Sequence, residues 1–104
     1  MTQDKTLKLE ELSAQLQRLN ESASSPWTIE NQKLCREFVF RNFIEAFGFM
    51  SRAALTAEKM DHHPEWSNVY RTVCVQLTTH SSGGISALDF ELAQKMESLA
   101  AVPD

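Results

Sequence analysis

The chain is sparing with the residues that punctuate or cross-link proteins: its 104 residues include three glycines, three prolines and two cysteines. Two cysteines cannot staple a small disulfide scaffold, so Cys35 and Cys74 are read as reduced thiols filling a core in a cytosolic setting. No GxGxxG or GxxxxGK[ST] loop is present, and Gly83-Gly84 reads as an ordinary turn. Cationic residues are few as well. Ten Lys and Arg stand against fourteen Asp and Glu, a net charge of −4, which excludes direct nucleic-acid binding as the main task because phosphate recognition needs a cationic face. Long apolar runs are missing too. Arg41, Asn42, Glu45, Ser51 and Arg52 break the richest stretch, and "MTQDKTLKLEEL" has no signal-type run, so neither a membrane role nor export is read and a cytoplasmic location is expected. What remains, 42% hydrophobic and 23% charged, suits one folded domain over residues 1–104.

The hydrophobic pattern divides the chain. Leu9, Leu12, Leu16 and Leu19 recur at helical spacing, giving a first amphipathic helix. "WTIE" and "KLCREFVF" read as strands joined at Asn31-Gln32, with Leu34, Arg36, Phe38 and Phe40 on one side and Cys35, Glu37 and Val39 on the other. From Asn42 to about Met60 the period becomes helical, opened by Asn42 and Glu45 as a capping box. Phe43, Phe47, Met50, Ala54 and Ala57 make one stripe, widened by Ile44 and Leu55; Phe49, Ala53 and Met60 make another. A helix apolar on two sides predicts that one face covers the sheet while the other, with Phe49 and Ala53, meets a second copy in a homodimer or homotetramer. "WSNVYRTVCVQLTT" is a second hairpin turning near Tyr70-Arg71, "HSSGG" a loop, and "SALD" the cap of a last helix with Leu92, Met96 and Leu99 buried. The expected fold is α+β: a four-stranded antiparallel sheet covered on one face by helices, in the order helix-hairpin-helix-hairpin-helix.

Histidine is also scarce, and its placement is informative. Of three, His62 and His63 are adjacent in "EKMDHHPEW" and His80 ends the last strand-like run. Pro64 stops the helix and pushes His63 toward extended backbone, so the pair lies on a connector. If both hairpins share one sheet, that connector and the strand end come close. Imidazoles titrating near neutrality suit a reaction that needs an acid at one atom and a base at another. Each also has a plainer reading: His63 bonding a loop carbonyl, His80 capping a strand, Asp89 serving its helix cap, Trp66 anchoring a core or interface. Glu58, Asp61 and Glu65 could join the histidines around a metal, but the spacing matches neither HExxH nor a Cys/His zinc pattern, and no metal is expected.

"EKMDHHPEWSNVY", the later "TTH" and Asp89, together with "FRNFIEAFGFMSRAALTAEKMD", resemble the signature of the pterin-4a-carbinolamine dehydratases, from Trp27 onward. The resemblance implies dehydration of 4a-hydroxytetrahydrobiopterin to quinonoid dihydropterin, recycling the cofactor of aromatic amino-acid hydroxylases without a metal or nucleotide. It implies His62 and His80 as the acid/base pair and His63 as the residue that binds or orients the pterin. Glu58 and Asp61 would hold the ring's N–H edge, Trp66 would wall the pocket, Thr78 and Thr79 would offer hydroxyl or backbone contacts, and Pro64 and Asp89 would orient the histidines, Asp89 acting on His80. Family members also serve as dimerisation cofactors of a hepatocyte homeodomain transcription factor. The alternative implied function is therefore a non-catalytic coactivator module.

Overall fold

A computed structural model describes residues 5–101. Along the chain come α1 (Leu9–Ser22), β1 (Thr28–Glu30), β2 (Lys33–Val39), α2 (Phe43–Met60), β3 (Glu65–Val69), β4 (Thr72–Leu77), a 3-10 turn (His80–Ser82) and α3 (Ala87–Ala100). The four strands form one antiparallel sheet in the order β1-β2-β4-β3. Three helices and a four-stranded antiparallel sheet in helix-hairpin order are the architecture expected from the pattern. The 3-10 turn occupies the first part of the stretch read as a loop.

Local chemistry explains the corners. Asn31 and Gln32 both take positive φ, 52° and 61°, the geometry whose twist suits a two-residue hairpin. Tyr70, at φ 51°, turns the second hairpin. Asn42 caps α2 by accepting the Glu45 amide at 2.9 Å. The Glu45 carboxylate reaches one residue further back than a capping box requires and accepts the Arg41 amide at 2.9 Å, so the reciprocal half of the predicted box is not formed.

The sheet's two sides differ as strand alternation requires. Leu34, Phe38, Val73, Val75 and Leu77 are buried beneath the helices, joined by Phe49, Leu92 and Met96 in one core. Cys35 is half-buried and Cys74 exposed, both on the side that carries Glu37 and Gln76. The thiols therefore do not fill the core, because strand parity sends them outward with Glu37. On α2 the stripe with Phe49 and Ala53 turns inward, joined by Ala57 from the other stripe. Ala46, Phe49, Ala53 and Ala57 are buried, whereas Ile44 is 80% exposed, Leu55 74%, Phe47 55% and Phe43 48%. Three alanines let this face of α2 lie close to its neighbours, which larger side chains would prevent. Phe49 and Ala53 thus belong to the core rather than to a subunit interface. Trp27 is buried where α1, β2 and α3 meet; its Nε1 donates to Glu97 Oε2 at 2.8 Å, and Glu97 also pairs with Arg36.

Residues before α1 reach the far end of the chain. Thr6 Oγ1 donates to the Ser82 carbonyl at 2.6 Å, and the Leu7 amide donates to the Ile85 carbonyl at 2.9 Å. This short strap lies across the segment between β4 and α3. No helix among the described residues is long and apolar enough to cross a membrane.

Candidate active site

The end of α2 positions the adjacent histidines. Asp61 takes the left-handed conformation at φ 54°, and its amide bonds the Glu58 carbonyl at 3.1 Å. The His62 amide reaches back to the Ala57 carbonyl at 3.0 Å. These two bonds satisfy helix-end carbonyls and reverse the chain in a Schellman-type stop, usually built on glycine. His62 is thereby turned inward, 8% exposed, while Pro64 carries the backbone into β3.

Behind His62 lies a carboxylate. Asp89, fully buried in the first turn of α3, sets Oδ1 2.6 Å from His62 Nε2. Its Oδ2 accepts the Thr79 hydroxyl and the Ser86 amide, each at 2.9 Å. Thr79 and Ser86 hydroxyls are 2.7 Å apart. Besides His62, the bonds that make burial of this carboxylate tolerable come from β4's exit and the α3 cap. Asp89 consequently pairs with His62 and not with His80, correcting the expected partner. Thr79, 4% exposed, directs its hydroxyl to Asp89, and its amide bonds the Gly84 carbonyl at 2.9 Å. Its hydroxyl and amide are thereby tied to the carboxylate and to the turn before α3. Thr78 donates to the Gln32 carbonyl at 3.3 Å, tying the β4 exit to the first hairpin turn.

His80 follows Thr79 and sits on the surface, its Nε2 2.9 Å from Glu65 Oε2. Glu65 also holds Lys33 at 2.5 Å. Lys33, with His80 adding to it, keeps the Glu65 carboxyl below the usual glutamate range despite partial desolvation. His63 is exposed and pairs with Glu58 at 2.8 Å, a solvent-facing contact of little energetic weight. Trp66, half-buried, packs against the core on the helix side of β3, opposite Val75. The three imidazoles thus take separate partners: His62 is buried against Asp89, while exposed His63 turns to Glu58 and exposed His80 to Glu65. Asp61 is exposed.

Two participants were not singled out from sequence for these parts. Glu65 drew attention only as a possible metal ligand and Ser86 only as a cap. Proximity of Glu65 to the histidine pair was the available signal for the first; nothing local marked the second. Burial pushes both thiols up, with Glu37 adding to the effect at Cys74, so neither cysteine is poised as a nucleophile. No group of three or more His, Cys, Asp or Glu side chains among the described residues is arranged to hold a metal ion.

The fold and these residues define a class: a small α+β protein with a histidine–carboxylate site where α2, β4 and α3 converge. The chain belongs to the pterin 4 alpha carbinolamine dehydratase family, whose model matches residues 5–99. It is 71% identical over 66 residues to a protein of Chelativorans sp. provisionally named a pterin-4-alpha-carbinolamine dehydratase, covering 64% of this chain and 67% of that one. A similarly named protein of Solibacter usitatus is 60% identical over 77 residues, or 74% and 81% of the two chains. A crystal structure from Brucella melitensis, described as a transcriptional coactivator/pterin dehydratase, superposes with a TM-score of 0.85 at 41% identity, covering 93% of this chain and all of that one. A pterin dehydratase-like protein identified as a RuBisCO assembly factor shares the fold alone, with a TM-score of 0.65 at 18% identity over 77% of this chain and 95% of that one.

Proposed function

We propose that the protein dehydrates a 4a-hydroxytetrahydropterin, such as 4a-hydroxytetrahydrobiopterin, to quinonoid dihydropterin and water, recycling the pterin used by aromatic amino-acid hydroxylases. The observation that carries this reading is the buried Asp89–His62 pair, with His80 next in the chain to the Thr79 that holds Asp89, in a member of this family. In the reaction the C4a–O bond breaks and the hydroxyl leaves as water with a proton from an acid. The N5 lone pair becomes the second bond of C4a=N5, and a base removes the N5 proton. One proton is given and one recovered, so the balance calls for no cofactor and suits paired imidazoles. His62 and His80 take the acid and base parts. His63 orients the ring with Pro64 fixing its approach, Glu58 and Asp61 face the ring's N–H edge, and Trp66 supplies an apolar wall.

Self-association belongs to the same reading. Phe43, Ile44, Phe47 and Leu55 form an exposed apolar face on α2 that a monomer would leave to water, and a second copy would cover it in a homodimer or homotetramer. That face also supports a second reading, a protein-binding module, consistent with the coactivator description of the Brucella protein. Dehydration of synthetic 4a-hydroxytetrahydropterin separates the two. Wild type should accelerate it, and His62→Ala or His80→Ala should each lose about 10²- to 10⁴-fold. Equal rates for all three would leave only the protein-binding role.

A further inference from the structure

Resting on that function, we infer that Thr79 and Ser86 are positioning residues that hold His62 in a single tautomer and leave Nδ1 as its reacting nitrogen. The proton directions follow from what each group has to donate. Thr79 Oγ1 lies 2.9 Å from Asp89 Oδ2 and 2.7 Å from Ser86 Oγ. A threonine has one hydroxyl proton and a carboxylate has none. Thr79 therefore donates to Asp89, Ser86 donates to Thr79, and Ser86 Oγ accepts the Leu88 amide at 3.2 Å. With the Ser86 amide also on Oδ2, two donors hold that oxygen and leave Oδ1 to the imidazole.

His62 Nε2 must then carry the hydrogen shared with Oδ1 at 2.6 Å. Burial of Asp89 strengthens this bond, because no water competes for it. Among the described residues Nδ1 has no hydrogen-bond partner, and Arg36 Nε is the one buried side-chain nitrogen or oxygen left unpaired, so Nδ1 is the nitrogen that reaches the surface. The titratable groups set beside His62 are Asp89 from α3 and its chain neighbours Asp61 and His63; His80, next to Thr79, turns to Glu65.

An orientation rule follows. In Asp89→Asn, the Thr79 hydroxyl and Ser86 amide keep hold of the side-chain oxygen, so the new NH₂ faces Nε2 and drives the imidazole hydrogen onto Nδ1. A nitrogen able to accept a proton becomes one that cannot. ¹⁵N chemical shifts of the two His62 ring nitrogens in the ligand-free full chain read the tautomer directly, alongside the dehydration assay. Wild type should show the Nε2–H form, and Asp89→Asn the Nδ1–H form with kcat lower by about 10²- to 10⁴-fold, as when a carboxylate that sets a catalytic tautomer is neutralised. Adding Thr79→Val to Asp89→Asn should free the amide to turn and restore part of the Nε2–H population, whereas adding Thr79→Ser should not. Nδ1–H in wild type, or Nε2–H persisting in Asp89→Asn, would overturn the inference. Since the spectrum needs no turnover, Nε2–H in a wild type without dehydration would sink the dehydratase reading alone.

Discussion

At Asp61 the backbone adopts a conformation that costs an ordinary L-residue roughly 1–2 kcal/mol and costs glycine almost nothing. Glycine would end α2 more comfortably, yet the position carries a carboxylate beside the histidines. Asp61→Gly is therefore expected to stabilise the protein by about 0.5–1 kcal/mol in urea unfolding, the left-handed gain being partly offset by the freer unfolded chain. On the proposed role of Asp61 at the ring's N–H edge, the same variant should also raise KM for the pterin. A destabilised Asp61→Gly would show that its side chain supports the fold instead. At this scale the sequence was only partly legible. Pro64 and the paired histidines announced a connector, but the partner of Asp89 lies 27 positions away and is decided by how α2 and α3 pack. Asp89 could be recognised as a cap from Ser86; that its second oxygen would serve His62 had no local signal.

Among elements, Glu65 ties together three parts of the molecule: its own strand β3, Lys33 at the start of β2, and His80 in the turn beyond β4. Its carboxyl is held below the ordinary value of about 4.3, and the sign of the pH effect follows. A lowered acid contributes its full stabilisation above the unfolded-state value and loses it as pH falls through the folded-state one. Thermal melts from about pH 6 to about pH 3 should thus fall less steeply for Glu65→Gln than for wild type. Parallel curves would mean the clamp contributes nothing. The hairpins themselves were legible because alternation and turn residues are local. The two faces of α2 were not: Phe49 and Phe47 are equally apolar, and the small residues Ala46, Ala53 and Ala57 decide which side approaches the sheet. Cys35 shows the reverse case. Its parity with Glu37 already pointed outward, and the general preference of cysteine for interiors was the weaker guide.

For the whole molecule, the outward face of α2 is the feature that a lone chain accommodates worst. Ile44→Asp combined with Phe47→Asp should give a monomer by light scattering at micromolar concentration with unchanged helical circular dichroism, where wild type should give a dimer or tetramer. A monomeric wild type would end that expectation and leave the exposed side chains without a role in self-association.

The strap described at Thr6 and Leu7 has its own bearing on how the site comes into being. Thr6 and Ser82 are 76 positions apart, so the bond between them closes about three-quarters of the 104-residue polypeptide into a ring. Contacts of such span must overcome their loop-closure entropy before they stabilise anything, so this one weighs against fast folding where hairpins and helix turns favour it. A protein trimmed past Leu7 would retain every residue of the proposed machinery while losing the clasp that holds the segment leading into α3.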